Sequence, residues 1–152
     1  MTDDAITTRL KAIKRIADQS CSAHAHLRDR YAAQAFALDL IILSASAWTL
    51  TLSFADASIA ARLTPFGMSS VIWTGLMGVA IFIATLLQLK LDLKGRSDAH
   101  KRACEAQAAV KKAAGDAARL EGDADRLVDV EAQLSLATAV GVAIPEQQFV
   151  RL

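Results

Sequence analysis

Residues 63–89 read LTPFGMSSVIWTGLMGVAIFIATLLQL, 27 residues without an Asp, Glu, Lys or Arg. A helix rises about 1.5 Å per residue and a bilayer core is about 30 Å thick, so about 20 of them suffice to cross it. Moving outward toward the N-terminus, the link DASIAAR at 56–62 carries Asp56 and Arg62, and residues 40–55 before it are again uncharged. Apolar character reaches back to Ala32, with only Asp39 interrupting. Residues 40–89 thus hold two of the chain's 33 charges, whereas 1–39 hold 11 and 90–152 hold 20. A soluble domain buries its core with amphipathic segments, whose charges recur every few residues. This distribution instead predicts an all-α membrane protein: a two-span transmembrane helical hairpin with long cytoplasmic N- and C-terminal helices.

The expected divisions are a cytoplasmic amphipathic helix at 1–31, transmembrane helix 1 at 32–55, a short external loop at 56–63 and transmembrane helix 2 at 64–89. A cytoplasmic helical arm at 90–140 and a tail at 141–152 follow. Pro65 suits the first turn of the second span, where its missing N–H is not needed. Basic residues flanking the spans set orientation. Arg28 and Arg30 precede the first span, and Lys90, Lys94, Arg96, Lys101 and Arg102 follow the second, while the loop offers only Arg62. Both termini are therefore expected in the cytoplasm. Trp48, Trp73, Phe54 and Phe66 read as ordinary interfacial or packing aromatics.

Two repeats organise the flanks. In residues 5–31 a 3–4 spacing runs through Ile6, Leu10, Ile13, Ala17, Ser20, His24, Leu27 and Tyr31. No Pro or Gly occurs before Pro65, so this helix is free to continue into the first span. After an expected loosening at Gly95, a heptad seam reads Ala99, Ala103, Ala106, Val110, Ala113, Ala117, Leu120, Ala124 and Leu127. An alanine seam buries little area but lets a neighbour approach closely. Gly122 and Asp123 are expected to break the arm, with Asp123 capping a last helix from about Ala124 to Ala139; Gly141 and Pro145 end regular structure. Residues 90–112 carry seven basic and three acidic groups and 113–152 three and seven. The basic part suits anionic lipid and the acidic end a partner.

Composition excludes several function classes. A net charge of +1 gives no footprint for nucleic acid. There is no Gly-rich phosphate loop, no Cys-x-x-Cys pair and no His-Glu-x-x-His run. No catalytic set, metal site or cofactor motif emerges, and enzyme activity is not expected. The acidic start, with the first long apolar run beyond residue 30, argues against a cleaved signal peptide. Cys21 and Cys104 lie in the polar flanks; in a cytoplasmic setting they are expected as reduced thiols, an inter-helix disulfide being the lesser alternative. His24 and His26, at i and i+2, face apart and make a poor metal pair. His100 borders the alanine seam, where it is placed to meet the first helix in a polar contact.

The polar groups at membrane depth carry the functional question. At helical spacing Asp39, Ser46, Thr49, Ser53 and Asp56 share a stripe on the first span, and Ser70, Thr74, Gly78, Thr85, Gln88 and Asp92 share one on the second. As pore-lining or gating candidates Asp39, Ser46, Thr49, Ser53, Thr74, Thr85 and Gln88 would border an aqueous path between assembled hairpins, with Asp39 as an acidic ring favouring cations. The hydroxyls alone read as helix packing, and Ser70, Thr74 and Gly78 form a small-xxx-small pattern. Asp39 is more telling. A carboxylate in hydrocarbon costs about 2.5–3.5 kcal/mol, so it faces protein or water. The alternative to a pore role is a shallow salt bridge, with Lys90 as its partner and Asp92 as the other interfacial ion-pair candidate.

The order of parts resembles a known family. The amphipathic helix enters span one through His26-Leu27-Arg28-Asp29-Arg30-Tyr31. After a short loop and a second span, the chain leaves through Leu91-Asp92-Leu93-Lys94-Gly95-Arg96-Ser97-Asp98-Ala99-His100-Lys101-Arg102 into an Ala-rich helix. Over roughly residues 5–122 this architecture is similar to the SLATT domain, a two-span membrane effector of bacterial conflict systems. The resemblance implies a pore-forming, anti-phage effector of the bacterial inner membrane, triggered by a sensor or nucleotide-signalling protein. It supplies no catalytic residues. A lone hairpin has too little wall to enclose a channel, so this reading requires a homo-oligomer in the lipid bilayer. The alternative is a membrane-anchored helical scaffold that presents its acidic arm to a partner protein.

Overall fold

The computed structural model describes residues 3–120 and 124–141. The break expected at Gly122 and Asp123, the tail beyond Gly141 and the side chain of Phe66 lie outside the described residues. Among the described residues every regular element is helical: α1 (Asp3–Phe54), α2 (Ala57–Leu63), a 3-10 turn (Pro65–Gly67), α3 (Ser70–Leu91), α4 (Leu93–Arg119) and α5 (Ala124–Val140). Two stretches of helix are long and apolar enough to cross a membrane. α1 runs unbroken for 52 residues, as the absence of Pro and Gly allows.

The connection between the apolar segments is more structured than a plain loop. α2 occupies most of 56–63, and Thr64 ends it by directing both its N–H and its hydroxyl to the Ala60 carbonyl, at 3.0 and 2.7 Å. Pro65 does not open the second span as expected. It starts the 3-10 turn, Gly67 takes a left-handed φ of 64°, and Ser69 caps α3 by accepting from the Ile72 N–H at 3.4 Å. The serine supplies the oxygen that the first helical N–H groups need, which proline cannot.

The break after α3 also falls elsewhere. Gly95 lies inside α4, and the chain turns at Asp92, a left-handed residue (φ 43°, ψ 49°) whose N–H closes on the Gln88 carbonyl at 3.2 Å. Asp is among the few side-chain-bearing residues that visit this region, because its short carboxylate bonds locally.

The chain forms two compact units, residues 1–31 with 94–152 and residues 32–93. In the first, α1 and α4 are antiparallel: Asp18 meets Lys111, Cys21 meets Cys104, His24 meets His100 and Arg28 meets Ser97. α5 runs parallel to α1, with Arg9 against Glu131 near its start and Gly141 beside His24 at its end. The core is Ile6, Leu10, Ile13, Ala17, Val110, Ala114, Ala117, Leu127, Val130 and Ala137. Leu10 and Val110 are its largest fully enclosed side chains.

The α1 repeat is buried much as its spacing implies, with Ser20 and Tyr31 half-buried. The α4 seam is corrected. Its buried line is His100, Ala103, Gln107, Val110, Ala114 and Ala117; Ala99, Ala106 and Ala113 are half-buried and Leu120 is 63% exposed. Ala124, also expected on the seam, is exposed in α5. α4 faces two helices, so its buried stripe is wider than one coiled-coil seam, and runs of adjacent alanines leave the register undetermined by composition.

The second unit is nearly coreless. α3 has no buried residue, and Leu43, Val71, Phe82 and Leu89 are among many large apolar side chains left open. Apolar exposure on this scale marks a contact surface for lipid or for another protein.

Candidate functional site

In the unit 32–93 the polar stripe is only partly gathered. Gln88 on α3 donates its amide to the Asp39 carboxylate on α1, which sets the start of one apolar segment beside the end of the other. The Asp39 carboxylate is thus half-buried against α3 and finds a donor there. Asp39, Ser46, Thr49, Ser70, Thr74 and Gln88 are half-buried, whereas Ser53, Asp56, Gly78, Thr85, Lys90 and Asp92 are exposed.

The hydroxyls bond within their own helices. Ser46 donates to the Ile42 carbonyl at 2.7 Å, Thr49 to Ala45 at 2.8 Å, Ser53 to Thr49 at 2.9 Å and Thr85 to Ile81 at 2.8 Å. Back-bonding of this kind satisfies a hydroxyl without a partner helix. The two halves of the stripe therefore differ chemically: the hydroxyls are self-contained, while Asp39 and Gln88 bind across. One group is not satisfied. The indole N–H of Trp73, read from sequence as an ordinary aromatic, is enclosed without an acceptor.

The other unit assembles a second polar cluster, between α1 and α4. Cys21 and Cys104 are bonded, with Cα atoms 4.4 Å apart. This corrects the expectation of two separate thiols: the antiparallel register sets the two residues face to face, where small side chains let the backbones close in. One turn along, His24 Nδ1 and His100 Nδ1 lie 2.9 Å apart, one donating and the other accepting. The rings are 3% and 4% exposed. Burial lowers both imidazole pKa values, and the neighbouring His100 lowers that of His24 further. Both rings are thereby kept neutral near pH 7. Tyr31 stacks on His100 with ring centres 5.6 Å apart, and the Ser97 hydroxyl donates to the Arg28 carbonyl at 3.1 Å. Further along α4, Gln107 Oε1 is buried without a donor. The sequence signal was His24 on its own seam; the pairing itself depends on a register that one helix cannot reveal.

Ion pairs Arg9–Glu131 (3.0 Å) and Lys111–Asp18 (2.6 Å) tie α1 to α5 and α4 at the surface. No protein-family model matches the chain, and no curated protein or solved structure is significantly similar to it.

Proposed function

We propose that the protein is a homo-oligomeric, pore-forming membrane effector whose two apolar helices form a transmembrane hairpin in a bacterial inner membrane, with both termini in the cytoplasm. The observation that carries the reading is the Asp39–Gln88 contact between the apolar segments. An ionisable group at membrane depth is costly and belongs to a protein-lined or aqueous path. In an assembly of hairpins the repeated Asp39 carboxylates form an acidic ring near the cytoplasmic mouth, which favours cations. The basic residues flanking the spans support the orientation. The likeness of the layout over roughly residues 5–122 to the SLATT domain supports a trigger delivered by a sensor or nucleotide-signalling protein, and hence a role in anti-phage conflict. The exposed apolar surface of the unit 32–93 is available for lipid and for neighbouring copies.

The test is induced expression in bacteria while a dye follows membrane potential. Wild-type protein depolarises the membrane, and Asp39→Asn, which keeps the shape and an acceptor for Gln88, changes the ion selectivity or abolishes toxicity. Unchanged conductance and toxicity in Asp39→Asn would refute the role of Asp39 in the pore, and normal growth and membrane potential on expression of the wild type would refute the pore itself and favour a scaffold that presents the acidic arm to a partner.

A further inference from the structure

Cys21, His24, His100 and Cys104 form two layers of one helix pair, each layer matching like with like across the interface. The spacing is Cys-x-x-His on α1 and His-x-x-x-Cys on α4, and the antiparallel register brings the thiol positions together at one level and the imidazoles at the next. We propose that in the dithiol state these four side chains form a tetrahedral site for a divalent metal ion of the zinc class.

Two thiolates and two neutral imidazoles are a preferred ligand set for such an ion. The geometry suits it. Residues three and four apart are offset by about 4.5 and 6 Å along a helix, and a sulfur and a nitrogen on one tetrahedral centre lie about 3.6 Å apart. Each Cα–Cβ bond leans toward the N-terminus of its helix. That lean is common to both ligands of a helix and leaves their offset unchanged, so the longer imidazole side chains span it by their own torsions, as i,i+3 and i,i+4 ligand pairs on one helix face do. The facing Nδ1 atoms, now 2.9 Å apart, part to roughly 3.3 Å and the sulfurs, once freed from their bond, to roughly 3.8 Å, the separations of two nitrogens and of two sulfurs on one tetrahedral centre. The other edge of His24 is also occupied: a methyl group added at Gly141 would lie 3.7 Å from Nε2. Two thiolate charges balance the dication, so the site buries no net charge.

In the structure the sulfurs are joined, and among the described residues no three His, Cys, Asp or Glu side chains are grouped for a metal. The site therefore belongs to the reduced chain. A thiol reductant supplies two electrons and two protons, leaves as its own disulfide and yields two Cys thiols; the incoming metal displaces both thiol protons. A cytoplasmic location supplies such a reductant. Reading each helix by itself missed the site because neither contributes more than two ligands.

The full-length chain in detergent, reduced with a phosphine and freed of metal, is titrated with Co2+. The expected result is one Co2+ per chain with the visible bands of a tetrahedral ion and a thiolate-to-cobalt charge-transfer band, all lost on adding Zn2+. Cys21→Ser with Cys104→Ser removes the charge-transfer band, and His24→Ala or His100→Ala weakens binding more than about 100-fold, beyond what loss of an outer-shell partner costs. His24→Cys, which exchanges one ligand for another, retains the metal with stronger charge transfer. The proposal is overturned if the reduced wild type shows no charge-transfer band, if His24→Cys fails to bind, or if loss of both histidines leaves the affinity unchanged. None of these readouts depends on ion conduction.

Discussion

Leu10→Ala tests the packing of the unit formed by α1, α4 and α5 where it is most concentrated. Leu10 is fully enclosed, and its core companions include Ala17, Ala114, Ala117 and Ala137. Truncation removes three carbons, about 2.4 kcal/mol of transfer free energy at about 0.8 kcal/mol each. Alanines have no rotamers with which to refill the space, so a cavity term adds to this, and the cost falls at about 3 kcal/mol or more. Hydrogen exchange measures the opening of this unit directly. At 1.4 kcal/mol per decade, the amides around Ile13 and Val110 exchange about 150-fold faster in the variant. Those within α3 keep their wild-type rates and serve as an internal control. Ile16→Ala, at a side chain 51% exposed, changes the rates far less. Acceleration below about fivefold, or an equal effect from Ile16→Ala, would refute the assignment of Leu10 to the core.

Register is tested by paired insertions on α4: Ala114→Leu at a fully buried position costs about 1–3 kcal/mol by overpacking, while Ala109→Leu on the exposed face is near neutral in the same exchange assay. The histidine pair predicts a pH dependence in the reduced, metal-free protein. Both folded-state pKa values lie below the ordinary value of 6.5, so the unfolded chain binds protons first, and stability is full above about pH 6.5 and falls as pH drops toward the folded values. Thermal melts across that window show the loss, and His24→Gln with His100→Gln flattens it; a flat wild-type profile would contradict the buried pair. The Arg9–Glu131 pair has side chains 63% and 43% exposed, so Arg9→Gln shifts the melting temperature by no more than the equivalent of about 1 kcal/mol, and less in high salt.

Much of the fold was legible because the decisive terms are local. The charge desert at 40–89 and the absence of Pro and Gly before Pro65 prescribe long helices without reference to any partner. The large residues Ile6, Leu10 and Ile13 also declare their face, since little else on that stretch is apolar and bulky. On α4 the same logic fails: Ala113 and Ala114 do not differ in transfer free energy, and at 106 and 107 the polar Gln107 is buried in preference to Ala106, because contact with two helices decides. The turn at Asp92 was not readable either, because Gly95 has the stronger intrinsic signal for a break and loses it once the helix restarts two residues earlier. In the site, Asp39 announced itself by its transfer cost, but its acceptance from Gln88 rather than an assignment to Lys90 rests on depth along two helices. The Cys and His pairs required the α1–α4 register, which is a property of packing.

The bond between Cys21 and Cys104 has one more consequence, and it concerns parity. The segment between its two cysteines, which stand 83 positions apart in sequence, contains both apolar helices. Two residues that touch must occupy the same side of a bilayer, so the chain between them crosses an even number of times. One span alone, with the other lying outside the membrane, is incompatible with this contact, as it is with Asp18 on Lys111 and His24 on His100. In the membrane reading proposed above the two apolar helices thus enter as a pair, and the contact of two cysteines becomes a count of crossings.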